Sequence, residues 1–207
     1  MSDLVLPESV KKKLARQRQA DQEKPEVPEI LPILPLADAV IYPFMVLPLL
    51  VQGERWVKLV DEALLGRKVI GLFRRKGGGE EAFDLEALGK TGTAAQVLRM
   101  ARLPDGNLQL LFQGLARVQI KRLIHIEPYP LAEVVIFHDR VEPSLELEGL
   151  VRSALGLFQE VTNLAPYLPN ELALAAANVP EPGTLADFIA ANLNLKPDER
   201  QEILDTL

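Results

Sequence analysis

Thr93-Ala94-Ala95-Gln96-Val97-Leu98-Arg99-Met100-Ala101-Arg102-Leu103, then Pro104-Asp105-Gly106-Asn107, then Leu108-Gln109-Leu110-Leu111-Phe112, is the stretch that decides the fold class. Two apolar runs flank an Asp-Gly turn, which is a strong short-range signal for a β-hairpin. Working outward, the pattern stays β on both sides. Downstream, Gly114 breaks the pattern. Residues 116–126 then alternate in places (Val118, Ile120, Ile124, Ile126), and Pro128 and Pro130 mark a turn before a strand over 131–137. Upstream, Val69-Ile70-Gly71-Leu72-Phe73 reads as a short buried strand. Before it, Trp56, Leu59, Val60, Ala63 and Leu64 recur at helical spacing, so 54–65 is predicted as an amphipathic helix ended by Gly66. Residues 46–51 form a short apolar run, expected to be buried and broken by Pro48. Residues 30–36 carry Pro32 and Pro35, which predicts a sheet edge or barrel rim and not a central strand.

After Asp139 the period changes to 3.6. Leu147, Leu150, Val151, Ala154, Leu155, Phe158 and Val161 fall on one face of a long helix over 144–162. Three shorter helices follow. Asn170 is the expected cap of the first, Thr184 and Asp187 form a T-x-x-D start for the second, and Pro197 opens the third. The fold class is therefore α+β: a β-rich lobe over 29–138, a small barrel or meander with one helix, then a helical bundle over 139–207. Residues 1–28 read as a basic, proline-containing tail with one or two helical turns near 9–18, and Gly77-Gly78-Gly79 as a loop.

Composition narrows the function. Aromatics are 5% of the 207 residues, so aliphatic side chains must fill the core. The chain has no cysteine, which removes disulfides and thiolate metal sites and fits a reducing compartment. No signal peptide and no span of roughly 18 apolar residues is visible, so a soluble cytoplasmic protein without membrane partners is expected. The net charge of −6 is unevenly spread. From Asp139 onward twelve acidic residues face four basic ones, a net of −8, while the preceding 138 residues hold 19 basic and 17 acidic. An acidic helical half would repel phosphates, which argues against nucleic-acid binding.

The search for chemistry finds no catalytic residues, no metal site and no cofactor motif. His125 and His138 are not clustered with carboxylates at metal-ligand spacing. His138 and Asp139 are strand neighbours that point to opposite faces. None of the four serines lies in a G-x-S-x-G context. Gly89-Lys90-Thr91-Gly92-Thr93 imitates the end of a phosphate loop, but Asp84 stands where its first glycine belongs, and a strand is predicted where a helix should follow. The strand aromatics Phe112 and Phe137 make no paired stacking platform for RNA.

Several ordered elements carry a family resemblance. Leu31-Pro32-Ile33-Leu34-Pro35-Leu36-Ala37-Asp38-Ala39-Val40-Ile41-Tyr42-Pro43 looks like the LPxLPLRDxVxxP opening of the Lon protease N-terminal domain, with Ala37 where Arg is common. Gly92-Thr93-Ala94-Ala95-Gln96-Val97 with Leu103-Pro104-Asp105-Gly106 is similar to its GTxAxV…LPDG hairpin. Gln113-Gly114-Leu115-Ala116-Arg117-Val118 and Pro128-Tyr129-Pro130-Leu131-Ala132-Glu133-Val134 resemble its G-x-x-R and PYxxAxV elements. Leu185-Ala186-Asp187-Phe188-Ile189-Ala190-Ala191-Asn192-Leu193 and Glu199-Arg200-Gln201-Glu202-Ile203-Leu204 resemble its last two helices.

The resemblance implies a PUA-like lobe plus a helical bundle that recognises substrates and supports assembly. The ATPase and Ser-Lys peptidase of a hexameric enzyme would be its partners, outside these residues. It implies no enzymatic activity in this chain. The alternative is a stand-alone Lon-like module that recruits a partner protein or ligand. Unfolded or damaged proteins expose apolar side chains, so a shallow apolar surface is the expected client site. Tyr42, Phe44, Met45 and Leu47 are the candidates. They lie in a proline-bounded loop where apolar groups are hard to bury, and methionine suits a promiscuous surface. The competing reading is that these four close the core.

Overall fold

A computed structural model of the chain describes residues 26–37, 39–76 and 83–206. Of the tail expected over 1–28, residues 1–25 lie outside them, as does the Gly77-Gly78-Gly79 loop. The first half contains strands β1 (Ile30–Ala37), β2 (Val46–Val51), β3 (Val69–Arg75), β4 (Gly92–Arg102), β5 (Leu108–His125) and β6 (Leu131–Phe137), with helix α1 (Glu54–Leu65) between β2 and β3. The second half is helical: α2 (Leu145–Leu164), α3 (Glu171–Ala177), α4 (Pro182–Asn192) and α5 (Pro197–Asp205).

The strands form one six-stranded sheet in the order β2-β5-β4-β3-β1-β6, with a further β5–β6 pairing. Of the expected small barrel or meander, the structure forms a curled sheet that is not a true barrel. It curls because β5 is long enough to pair first with β2 and then with β6. Irregular register between Ile120 and Arg122 and between Leu123 and His125 bends it on the way. The two strands expected on either side of Gly114 are thus one strand of 18 residues. The Asp-Gly hairpin forms as read. Gly106 sits at φ 85, and the Leu103 N–H bonds the Asn107 carbonyl at 2.9 Å.

β1 is interior in the strand order, not an edge. Its prolines are tolerated because each half of the strand pairs on one side only. Ile30, Leu31 and Pro32 face β6, while Ile33 to Ala37 run parallel to β3. The Ile33 N–H points to the β6 side, at the Pro130 carbonyl. Alternation then aims the donor missing from Pro35 past the end of β6, and that of Pro32 at β3 before its pairing begins. β2 also departs from expectation. It runs unbroken through Pro48 at the end of the sheet, and alternate residues are exposed, where a buried run was expected.

Both faces of the central strands are covered, which is why β3 is a continuous apolar run. Leu34, Ile70, Leu72, Val97, Leu110 and Phe112 pack under Leu59 and Val60 of α1. On the other face lie Leu31, Ile33, Phe73, Ala94, Val118 and Val134. Ser144 caps α2 by accepting the Leu147 N–H at 3.1 Å. α2 buries Phe158 against Ala176 of α3 and Leu185 of α4, but Leu150 and Val161, expected on the buried face, are exposed.

Two expected caps are not used. Asn170 is already helical in its backbone and makes no side-chain cap, because α3 opens on a preceding turn. α4 starts at Pro182, two residues before Thr184, and Asp187 turns away from the helix end toward Arg117.

α4 joins the two halves. Its Ala190 packs with Leu204 of α5 against Val40 and Tyr42. Beside that contact, Asp187 receives two hydrogen bonds from the Arg117 guanidinium at 2.9 and 2.5 Å, and Arg117 Nε donates to the Leu204 carbonyl at 3.2 Å. Arg74 reaches Asp198 at 2.7 Å, and Gln201 Nε2 donates to the Thr91 carbonyl at 2.9 Å.

Candidate functional site

Residues 42–45 form a tight turn that splits the four candidate side chains between inside and outside. Pro43 pre-sets the second position of this turn, and the Met45 N–H closes it on the Tyr42 carbonyl at 3.3 Å. Phe44 occupies the third position at φ 65, a left-handed conformation that strains a bulky side chain and where glycine is the usual residue. The turn is pinned to β5: Phe44 N–H bonds the Gly114 carbonyl and Gly114 N–H bonds the Met45 carbonyl, both at 2.9 Å. Two residues thus oppose one, a bulge that re-aims the Phe44 ring.

Tyr42 is fully buried among Val40, Ala190 and Leu204, and its hydroxyl donates to the Arg200 carbonyl at 3.0 Å. It holds the two halves together and offers no surface to a ligand. Met45 is half-buried, touching both the Tyr42 cluster and the main sheet core. Leu47 is half-buried on the core side of β2. Only Phe44, 43% exposed, presents a large apolar surface outward.

Its neighbours on β2 are not evident from the sequence, where 46–51 reads as a buried run. Val46 and Leu50 are 50% and 54% exposed, with Pro48 exposed between them. Period-2 alternation in that run was the available signal, obscured because both faces carry aliphatic residues. Opposite them on β5 stand Gln113, Leu111 and Gln109, so these positions are uncharged on both strands and apolar mainly on β2.

Comparison with known proteins gives this arrangement a context. The family profile of the ATP-dependent protease La (LON) substrate-binding domain matches residues 30–207. The chain belongs to the Lon substrate-binding domain family. It is 55% identical over 186 residues to the Lon protease of Roseiflexus castenholzii, covering 90% of this chain and 23% of that protein. With the Lon protease of Dictyoglomus thermophilum the identity is 43% over 182 residues, covering 88% and 23%. The chain therefore spans about a quarter of the length of these relatives. The solved N-terminal domain of Mycobacterium avium complex Lon protease shares the fold, with a TM-score of 0.65 at 18% identity over 86% of this chain and 90% of that one.

Elsewhere in this Lon-family domain, the motifs weighed for chemistry have structural partners. The segment that imitates a phosphate loop leads into β4, and its Thr91 N–H bonds the Asp205 carboxylate at 3.0 Å, placing negative charge where a phosphate would sit. His125 Nδ1 lies 3.1 Å from the Tyr129 carbonyl, with the two rings edge to face. Among the described residues no three His, Asp or Glu side chains form a metal-binding group, and no helix is long and apolar enough to cross a membrane.

Burial pushes the Tyr42 phenol from its ordinary 10.0 up to about 12, outweighing the pull of Arg200. The unfolded phenol ionises near its ordinary value, so stability should hold below that pH and fall as pH rises from about 10 toward 12. Chemical denaturation across that range should show a smaller fall for Tyr42→Phe. A residual slope would come from Tyr129, raised to about 12 by its hydrogen bond to Glu62.

Proposed function

We propose that this domain captures unfolded or damaged proteins through the outer face of the β2–β5 pair, with Phe44 as its anchor, and performs no chemistry on them. The observation that carries this reading is Phe44: an exposed aromatic ring held at φ 65, where glycine would cost less. Val46, Pro48 and Leu50 extend the apolar surface, and half-buried Met45 and Leu47 support it from beneath. Each contact with a client is weak and undemanding of sequence. In a ring of subunits such contacts would add by avidity. In the longer polypeptide, the domain would hand its clients to ATPase and peptidase parts and support assembly of the hexamer.

The test is binding of the 207-residue chain to a reduced, unfolded protein and to its folded form, followed by fluorescence anisotropy at low and high salt. Selective binding of the unfolded form, little changed by salt, is expected because the surface is uncharged. Phe44→Ala and Phe44→Gly should each weaken it by about fivefold or more, a loss of roughly 1 kcal/mol. Between those two variants, glycine should be the more stable by about 1 kcal/mol, since it alone accepts positive φ freely. Undiminished binding by both would remove Phe44 from the site. Equal binding of folded and unfolded forms would remove the function.

A further inference from the structure

A second surface, on the helical half, carries an inference independent of client capture. α2 is apolar over about 180° of its circumference at 100° per residue. Half of that arc, Val151, Leu155 and Phe158, packs against α3 and α4. The other half is Leu147, Leu150, Ala154, Leu157, Val161 and Leu164, spaced 3-4-3-4-3 along the helix, which is the a/d pattern of a coiled-coil seam. Among the described residues most of it is uncovered: Leu150 is 62% exposed, Leu157 60% and Leu164 83%, with Leu147 and Ala154 half-buried. The seam runs roughly 26 Å from residue 147 to residue 164. At its N-terminal end Leu147 leads into a groove of about 410 Å³ lined by Pro143, Val151, Pro180 and Pro182.

Charge along the seam selects what can cover it. Glu146, Ser153 and Glu160 occupy the flanking position on its open side. Glu148 and Glu181 line the groove, where Arg152, the one basic residue, is paired to Glu148 at 3.5 Å. A second copy would set these glutamates against their own equivalents, and such flanking charges choose partners in coiled coils. We propose that the uncovered face of α2 docks an amphipathic helix of about 18 residues, apolar at a and d and flanked by Lys or Arg.

The experiment titrates the 207-residue chain with labelled helical peptides of three heptads: Leu at a and d with Lys flanks, the same peptide with Glu flanks, and a Lys-rich peptide with scrambled leucines. The Lys-flanked peptide should bind at least about tenfold more tightly than either control and should weaken with salt. Leu150→Gln with Leu157→Gln should cost about tenfold in affinity without changing the circular dichroism, because both side chains are exposed. Glu146→Lys with Glu160→Lys should invert the flank preference, and Phe44→Ala should leave it intact. Equal binding of the scrambled peptide, or indifference to the paired glutamines, would overturn the proposal. So would self-association in sedimentation that depends on Leu150 and Leu157 while the Lys-flanked peptide fails to bind.

Discussion

Replacing Asp187 by asparagine is expected to cost about 3–5 kcal/mol, a large part of the roughly 5–15 kcal/mol that holds a domain of this size together. The reason is desolvation. Arg117 and Asp187 are 9% and 2% exposed, so each depends on the other in place of water. Asparagine keeps the shape but leaves the guanidinium charged and without its counter-ion. Arg117 would retain its Nε bond to the Leu204 carbonyl at 3.2 Å and one bond to the amide oxygen, while its other N–H would meet the amide NH2. Urea denaturation should show the loss as a lower midpoint. Converting the pair together, Arg117→Met with Asp187→Leu, should recover most of it, because two apolar groups of similar volume bury without a desolvation penalty. If the double variant is as unstable as the single one, then α4 and β5 are held together by packing around Tyr42, not by the charge pair.

The second large effect is expected at Gly114, and it is steric. A Cβ added there would fall inside contact distance of the Tyr42 carbonyl oxygen and meet Pro43 Cα at 3.1 Å. Both obstacles are backbone, so no side chain can rotate away. Gly114→Ala should therefore cost about 3 kcal/mol, the upper end of the usual overpacking penalty, and push the 42–45 turn off β5. Because that turn aims Phe44, client binding should fall with it. Gly106→Ala makes the contrast. Its position has open space but φ 85, so only the backbone penalty of about 1 kcal/mol applies, with no effect on binding. Equal losses at the two glycines would mean that the turn moves freely and Phe44 is not held in place.

The contrast between these glycines also shows what could be read from the chain. Gly106 announces itself through Asp105 and the flanking apolar runs, a purely local signal. Gly114 reads locally as a strand break, yet β5 passes straight through it. What Gly114 serves is a close approach by a turn seventy residues earlier in the chain, which no local pattern records. Asp187 was misread in the same way. Three residues after Thr184 it fits a helix start, but its partner Arg117 lies 70 residues away. The candidate surface was legible in part. A proline-bounded apolar loop pointed to the 42–45 turn, where Phe44 faces outward. Tyr42, two residues before it, is drawn inside because α4 and α5 supply the wall it packs on.

By itself the sequence determined the element types and, apart from the break read at Gly114, their order, because hydrophobic period, turn chemistry and proline position are properties of neighbouring residues. It also determined the family, through motifs kept in order along the chain. Only the tertiary structure decided which apolar residues stay outside. Phe44, Val46, Leu50 and the Leu150–Leu157–Leu164 seam are as hydrophobic as the core residues beside them. Their exposure depends on whether another element happens to cover them, and that is fixed by contacts between segments far apart in the chain.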